Sequence, residues 1–444
     1  MIPQDFLTAI AQEHHLSGSE HEVLVLAMDG KPTAAIAQDL GISGDAVRKR
    51  LSEVYQKFRI SGRGPVKLTR LQQLLVSRYQ NQTPKQPSSL SSVPPGSNTV
   101  AKAESLSSAH YWGEAPDTSV FYGRKAELSQ LDRWVLQSQC RLVTILGMAG
   151  MGKTALTVQL ARNIHDDFES FVWLSLRQAP PLHELLHQLT HLLNHTAASS
   201  NDVQPSPEMI KSQMSNLIHY CRNHRCLLVL DGVESVLQSS CFSGIYRDGY
   251  ADYGDLFRRL GQASHQSCVL VTSREKPSEI SLLEGETAPV RSLMLGGLTD
   301  ADAQQLLTEK GITGDKQKWT DLIHGYRGNP FMLKMVATTI REVFDGDVTA
   351  FLTTTLLTHD INDYIGDILE RVSDIEEAIV HHIAQQQRPL SMNDLISALP
   401  TSSPQDLIQA LQSLKQRSLL ETSEGRFYLP PVVMTFVAQE RCDA

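Results

Sequence analysis

The chain has 444 residues, a net charge of −9 and a hydrophobic content of 41%, which together are ordinary for a globular protein with room for about three domains or more. No apolar run is long enough to cross a membrane, and residues 1–5 lack the basic start and apolar core of a signal peptide. The sequence therefore excludes a membrane protein and predicts a cytoplasmic one.

Residues 1–80 are predicted to form a compact helical domain. Within residues 33–58, two amphipathic helices flank a tight turn at Gly41-Ile42-Ser43, where Ser43 is the expected N-cap of the second helix. The spacing is typical of a helix-turn-helix, in which the second helix enters the major groove of DNA. The buried stripe of that helix is expected to consist of Val47, Leu51, Val54 and Phe58.

The same region is basic within an acidic chain. From Gly44 to Lys85 there are ten Lys or Arg residues and only two acids, a balance that suits neutralisation of phosphates. A protein partner or a merely solvated face remains an alternative to DNA. If DNA is the target, the expected base contacts are Asp45, Arg48, Lys49 and Ser52, and the expected phosphate contacts are Lys57, Arg59, Arg63 and Lys67.

Residues 81–118 are rich in Pro and Ser and are predicted to form a linker. In residues 119–295, short apolar strands alternate with helical stretches, and this alternation predicts a parallel sheet covered by helices on both faces. The predicted strands are 142–146, 171–174, 227–230 and 268–272.

The segment Gly147–Thr154 has the pattern G-x-x-x-x-G-K-T between a buried strand and an amphipathic helix. Its glycines let backbone amides surround phosphate oxygens, and the helix N-terminus adds partial positive charge. Lys153 is expected to contact the β- and γ-phosphates, and the Thr154 hydroxyl to ligate Mg²⁺. The pattern predicts a nucleoside triphosphate site formed by Gly147, Gly150, Met151, Gly152, Lys153, Thr154 and Ala155.

A second half of this site is predicted about 80 residues later. The strand at 227–230 leads directly into Asp231, and a carboxylate in this position holds the Mg²⁺ shell of P-loop enzymes. Between the two halves, His183-Glu184-Leu185-Leu186-His187 matches the zinc-protease pattern H-E-x-x-H. Because leucines at helical spacing surround it, we interpret it as the surface stripe of a crossover helix.

Residues 296–365 are mostly helical by pattern, and residues 366–444 contain three helical runs and a two-stranded ribbon that turns at Ser423-Glu424-Gly425. Three helices and a ribbon predict a winged helix. The expected fold class is multidomain, α/β plus α: a helix-turn-helix domain and a linker, then a P-loop parallel sheet, a helical domain and the winged helix.

Residues 119–440 resemble the NB-ARC branch of the STAND P-loop ATPases. Phe121–Arg124 resembles the family motif that clamps the adenine end of the nucleotide. Val271–Arg274 resembles the family's sensor segment, whose arginine touches the γ-phosphate. Gly328–Phe331 resembles the family motif whose proline packs on the base. Residues 16–63 resemble LuxR/GerE-type DNA-binding domains. The resemblance implies ATP or ADP with Mg²⁺ as ligands, and nucleotide contacts from Gly123, Arg124, Arg274 and Pro330.

The chain departs from the family pattern in two places. Where relatives carry an acid after the Mg²⁺ carboxylate this chain has Gly232, and the next acid is Glu234. Either Glu234 replaces the base, acting with Lys153 and Arg274, or hydrolysis is very slow. The family's histidine that senses the ADP β-phosphate is absent, because its place falls on Leu429-Pro430-Pro431.

These features predict a nucleotide-driven switch that forms a homo-oligomer with ATP and clusters its N-terminal domains, for transcription regulation through DNA. The alternative is an adaptor in stress or antiviral-defence signalling whose N-terminal module recruits a protein effector. Relatives carry a sensor array after the winged helix, whereas this chain stops at Ala444. The expected explanations are a separate sensor protein, direct sensing by the ATPase core, or a truncated chain.

Overall fold

The computed structural model describes residues 16–28, 40–58, 109–194 and 206–440, together with seven isolated positions, 6, 10, 11, 36, 37, 71 and 75. The chain divides into two compact units, Met1–Ala103 and Glu104–Ala444. Each unit is described by itself.

The first unit contains helices α1 (Gly18–Met28) and α2 (Gly44–Lys57). The turn before α2 is made by Gly41, whose φ of 63° lies in the left-handed region that glycine tolerates. The Ser43 hydroxyl accepts a hydrogen bond from the Ala46 amide at 3.2 Å, as expected of an N-cap. The four residues predicted to form the inner stripe, Val47, Leu51, Val54 and Phe58, are buried.

The second unit is built on six parallel strands. These are β1 (Ala109–Tyr111), β2 (Leu142–Leu146), β3 (Ser170–Ser175), β4 (Cys226–Asp231), β5 (Cys268–Ser273) and β6 (Val290–Met294). Their order across the sheet is β1-β3-β4-β5-β2-β6. The carboxyl ends of β2, β5 and β4 therefore lie side by side, and this is the edge where ligands bind in open α/β sheets.

Both faces of the sheet are covered, as the alternating pattern predicted. Helices α3 (Lys125–Asp132), α4 (Lys153–Ile164), α5 (Leu182–Asn194), α6 (Pro207–Asn223), α7 (Asp252–Gln262) and α8 (Ser278–Leu283) connect the strands. Successive strand residues alternate between two apolar cores: Val143 and Ile145 belong to one, and Leu142 to the other. This period of two is what a doubly covered strand requires.

Strand β1 falls inside the segment that was predicted to be linker. Ala109 pairs with Ser170 and Tyr111 with Val172, so residues 109–111 belong to the sheet. The sequence does not reveal this strand because it is short and lies at the sheet edge, where His110 and Tyr111 are exposed and no apolar run is needed.

The helical region that follows consists of α9 (Asp300–Glu309), α10 (Lys316–Gly325), α11 (Pro330–Val343), α12 (Val348–Thr354) and α13 (His359–Leu369). The boundary predicted after residue 365 falls within α13. The large core that begins under the sheet continues through these helices and into the C-terminal residues, with Val336, Ile365 and Val433 among its members.

The C-terminal region has the elements of a winged helix. Helices α14 (Asp374–Gln386), α15 (Met392–Ala398) and α16 (Pro404–Gln416) pack with strands β7 (Leu390–Ser391), β8 (Glu421–Ser423) and β9 (Arg426–Tyr428), and α17 (Pro431–Glu440) follows. The predicted ribbon is the antiparallel pair β8–β9, and its turn residues Glu424 and Gly425 have positive φ. In the part of the chain that the structure describes, no helix is both long and apolar enough to span a membrane.

Candidate nucleotide-binding site

The loop between β2 and α4 depends on three glycines. Gly147, Gly150 and Gly152 have φ values of 148°, 75° and 91°, a region that residues with a Cβ atom rarely enter. A Cβ at Gly147 would lie 2.7 Å from the Leu295 carbonyl oxygen, and one at Gly150 would lie 2.6 Å from the Tyr364 hydroxyl. The loop therefore has a backbone conformation that glycine adopts readily and other residues rarely do, and it is closely packed. Its glycines are thus required by the structure as well as by the phosphate-binding pattern.

Lys153 is the first residue of α4 and is only 8% exposed. Its ammonium group donates to the Gly147 carbonyl at 2.7 Å and to the Met148 carbonyl at 3.0 Å. Burial lowers the pKa of Lys153 to about 8, although the carboxylates of Glu234 and Asp231 oppose this shift. The loop thus holds a buried cation at the place where phosphate charge was predicted.

The predicted metal ligands are in direct contact. The Thr154 hydroxyl donates to Asp231 Oδ1 at 2.7 Å, and Asp231, at the end of β4, is 3% exposed. A hydroxyl and a carboxylate that meet beside a phosphate-binding loop are oxygen ligands of the kind that Mg²⁺ takes. The residues of this chain therefore fit the predicted Mg²⁺ site.

Two further side chains, neither of them predicted from the sequence, hold Asp231. The Thr272 hydroxyl donates to Asp231 Oδ1 at 2.7 Å, and Arg177 Nη2 lies 3.4 Å from Oδ2. Thr272 lies in β5 and Arg177 follows β3, so neither is near Asp231 in sequence. Only the strand order brings them together.

The Arg124 side chain holds the P-loop in place through hydrogen bonds. It is 6% exposed, and its guanidinium donates to the carbonyls of Met151 at 3.1 Å, Gly296 at 2.7 Å and Gly297 at 3.0 Å. The resemblance assigned Gly123 and Arg124 to the adenine end of the nucleotide. In the structure, the Arg124 side chain joins the P-loop to the chain that leaves β6.

The helical region touches the loop through Asn329 and Pro330. Asn329 is fully buried; its amide nitrogen donates to the Ala149 carbonyl at 3.0 Å, and its amide oxygen accepts from the Phe331 amide at 3.0 Å as the N-cap of α11. Pro330 Cγ lies 3.9 Å from the position of a Cβ on Gly152. In sequence, an Asn followed by a Pro predicts the N-cap and the first residue of a helix. The hydrogen bond from Asn329 to the P-loop cannot be predicted from the sequence.

The predicted catalytic residues Glu234 and Arg274 form an ion pair. A left-handed turn at Gly232 leads into a short 3₁₀ helix, and Glu234 Oε1 lies 3.1 Å from Arg274 Nε while Oε2 accepts from the Arg274 amide at 3.3 Å. Both side chains are close enough to Lys153 to affect its pKa. The fold therefore brings the three predicted catalytic residues to one place.

Next to this pair lies a set of charges, here named the charge network: Glu275, Glu376 and Arg417, which are buried, and Arg371, which is half-buried. Glu275 Oε1 lies 2.6 Å from Arg371 Nε and 2.9 Å from Arg417 Nη1, and Arg417 Nε lies 3.4 Å from Glu376 Oε1. Burial raises the pKa of Glu275, and the two guanidinium groups only partly offset this effect. The network connects the residue after Arg274 to the winged helix, and no motif in the sequence revealed it.

The H-E-x-x-H segment lies on a helix with a buried leucine stripe, as its spacing predicted. It lies in α5, where Leu182, Leu185, Leu186 and Leu189 are buried. Within the described residues, the group with potential metal-ligand geometry is His110, His165 and Asp166, and His183 and His187 do not belong to it.

On α2, Lys49 and Ser52 are exposed on the side away from the buried stripe. Lys57 Nζ lies 2.6 Å from Glu20 Oε2, so a phosphate contact by Lys57 would compete with this ion pair. The side chains of Asp45 and Arg48 lie outside the described part of the structure, as do Arg59, Arg63 and Lys67.

Comparison with known families agrees with this geometry. The family described as the NB-ARC domain matches residues 124–245, and the family described as bacterial regulatory proteins of the luxR family matches residues 14–67. The chain carries an NB-ARC domain behind a LuxR-type helix-turn-helix domain. Both resemblances seen in the sequence are confirmed.

Three curated relatives are similar to parts of this chain. An uncharacterized WD repeat-containing protein of Nostoc sp. is 39% identical over 362 residues, which are 77% of this chain and 28% of that protein. The disease resistance protein RPS4B of Arabidopsis thaliana is 24% identical over 345 residues, covering 73% and 27%. The transcription activator GutR of Bacillus subtilis is 21% identical over 256 residues, covering 52% and 28%. The chain therefore spans less than a third of each relative's length.

Proposed function

We propose that this protein is an ATP/ADP-driven switch that regulates transcription by clustering its LuxR-type domains on DNA. The observation that carries the proposal is the charge network, because it links the neighbour of Arg274 to the winged helix through buried contacts. Such a contact gives a change at the nucleotide site a direct route to the winged helix. The relative from Bacillus subtilis is named a transcription activator, which supports a role in transcription for this protein.

In this proposal, the P-loop amides and Lys153 hold the phosphates, and Thr154 with Asp231 holds Mg²⁺. The metal ion, when bound, neutralises phosphate charge. Arg274 distinguishes ATP from ADP, because only ATP offers a γ-phosphate as a partner in place of Glu234. Loss of the Arg274–Glu234 pair would then loosen the segment that carries Glu275.

The energetic requirement is differential binding. ATP shifts the closed and open populations only as far as it prefers one of them, and a change from 1:99 to 99:1 needs about 10⁴-fold selectivity. Assembly of the open form as a homo-oligomer then raises DNA affinity through multivalency, without any new contact in a single domain.

Hydrolysis resets the switch in this proposal. The position after Asp231 is a glycine, so Glu234 is the next acid along the chain that could act as the general base. General-base catalysis typically raises a reaction rate by about 10²–10⁴-fold. Because Gly232 stands where an acid is expected and Glu234 lies two residues further along the chain, turnover is expected to be slow, below the roughly 1 s⁻¹ low end of typical enzymes.

A gel-shift assay with a pool of random DNA tests the proposal. The full chain is incubated with ATP, with ADP or without nucleotide. The variant Lys49→Ala, which removes an exposed positive charge from α2, is assayed in the same way. We expect ATP-dependent retardation that Lys49→Ala weakens. Absence of DNA binding in every nucleotide state would reject transcription regulation and favour the adaptor, whose N-terminal module recruits a protein effector.

A further inference from the structure

The hydroxyl of Tyr364 is buried and lies against the P-loop. Tyr364 belongs to α13, and its hydroxyl oxygen is 2.6 Å from the position that a Cβ on Gly150 would occupy. The oxygen is shielded from solvent and has no hydrogen-bond partner within the described part of the chain. A buried hydroxyl without a partner destabilises the fold, so this position calls for an explanation.

Packing fixes the direction of this hydroxyl. The ring of Tyr364 lies against that of Phe331, with 5.0 Å between the ring centroids. Asn329 is also close to Gly150, but its amide nitrogen is bonded to the Ala149 carbonyl and its amide oxygen to the start of α11. Tyr364 therefore carries the free donor at this point of the loop. Burial raises its pKa, so the hydroxyl keeps its proton at physiological pH.

We propose that Tyr364 is a nucleotide-binding residue whose hydroxyl donates a hydrogen bond to a β-phosphate oxygen held by the P-loop. This inference rests on the proposed nucleotide site. The β-phosphate is chosen because the amides of a P-loop cradle the α- and β-phosphates, and Gly150 is at the centre of the loop. ATP and ADP share this phosphate, so Tyr364 binds both, whereas Arg274 is assigned to the γ-phosphate that only ATP carries.

The position of Tyr364 in the chain gives the contact a second consequence. It lies seven residues before Arg371, which donates to Glu275 and to the Glu234 carbonyl. A hydrogen bond from Tyr364 to the phosphate would therefore hold α13 itself against the P-loop in both nucleotide states. Nucleotide binding would stabilise the packing of α13 on the nucleotide domain.

The test is Tyr364→Phe in the full chain, which removes the hydroxyl and keeps the ring on Phe331. The matched control is Tyr253→Phe, since Tyr253 is also buried but its hydroxyl already donates to the Pro180 carbonyl at 2.8 Å. Thermal unfolding without nucleotide shows whether each variant folds as stably as the wild type. Calorimetric titration with ADP, with ATP and with AMP measures whether the contact to the phosphate is lost.

We expect Tyr364→Phe to weaken ADP and ATP binding about tenfold or more, equivalent to ~1.4 kcal/mol, with AMP binding unchanged. Its melting temperature without nucleotide should equal or exceed that of the wild type, because the hydroxyl has no partner to lose. Tyr253→Phe should show the opposite pattern: a lower melting temperature and unchanged nucleotide affinity.

Two results would overturn the inference while leaving the nucleotide site in place. One is wild-type ADP affinity in Tyr364→Phe; the other is an equal loss for AMP and ADP, which would move the contact away from the β-phosphate. If the wild type itself binds no nucleotide, and Lys153→Ala behaves identically, the proposed function fails and the inference fails with it.

Discussion

Arg417 at the end of α16 donates to the carboxylate of Glu275 over 2.9 Å, although the two residues are 142 positions apart in the chain. Arg417 is 5% exposed and Glu275 1%. Arg417 belongs to the winged helix and Glu275 directly follows Arg274, so the pair connects the winged helix to the nucleotide site. A buried ion pair contributes little net stability by itself, but removal of one partner leaves an uncompensated charge.

We therefore expect Arg417→Met to destabilise the second unit by about 3–5 kcal/mol, seen as a lower unfolding midpoint in urea and as faster hydrogen exchange in residues 374–440. The control is Arg388→Met, because Arg388 is 52% exposed and lies 3.7 Å from Asp394. Its effect should stay within about 0.5 kcal/mol. Equal effects of the two variants would show that the charge network does not hold the winged helix.

Lys153→Ala is expected to abolish detectable ATP and ADP binding while the protein stays folded. The physical reason is that the buried ammonium group supplies the positive charge that compensates the phosphates, and its hydrogen bonds in the structure go to two carbonyls of the P-loop itself. Calorimetric titration measures the affinity, and circular dichroism checks the fold. Nucleotide affinity near that of the wild type would exclude the P-loop assignment.

Nucleotide affinity should also depend on pH in a way set by Lys153. Burial lowers the pKa of Lys153 to about 8, whereas an exposed lysine keeps its proton to about pH 10. Because phosphate binding uses the protonated form, ADP affinity should be constant below pH 7 and fall as the pH rises through about 8. Titrations from pH 6.5 to 9.5, with the melting temperature checked at each pH, measure this. A constant affinity up to pH 9.5 would contradict it.

The strands β2 to β5 and the P-loop were predictable because their signals are local. Four or five largely apolar residues in a row mark a strand that is covered on both faces. The glycine spacing of residues 147–154 marks a loop of defined backbone conformation. Ser43 as an N-cap and the buried stripe of α2 were visible for the same reason. Each feature is decided by residues that are neighbours in the sequence.

The features that were missed depend on distant residues. Arg177 and Thr272 reach Asp231 only because β3 and β5 flank β4 in the sheet. Asn329 reaches the P-loop only through the placement of α11, and Tyr364 only through that of α13. Tyrosine or arginine at such positions is indistinguishable in sequence from the same residue at a surface, so composition and periodicity could not reveal these contacts.

Arg274→Ala should preserve ADP binding and weaken ATP-dependent assembly. In the structure Arg274 is paired with Glu234 and does not hold the P-loop, so its removal should leave the contacts to the α- and β-phosphates intact. Light scattering after size exclusion, in ATP and in ADP, measures assembly. Equal loss of affinity for both nucleotides would mean that Arg274 has a structural role instead.

Glu234→Gln is expected to reduce ATP hydrolysis by about 10²-fold or more, since general-base catalysis supplies that range, and to accumulate the assembled form with ATP. Single-turnover release of phosphate measures the rate. The exposed Glu286→Gln serves as a control that leaves the rate unchanged. If Glu234→Gln hydrolyses ATP as fast as the wild type, then Glu234 is not the base.

The most direct test of the switch is hydrogen exchange of the full chain with ADP and with ATP, the latter in Glu234→Gln to prevent turnover. The charge network should protect residues 369–386 and 404–417 in ADP. With ATP, exchange in these two segments should become faster, while α4 behind the P-loop stays equally protected in both states. Identical exchange of the two segments with ADP and with ATP would contradict a nucleotide-driven release of the winged helix.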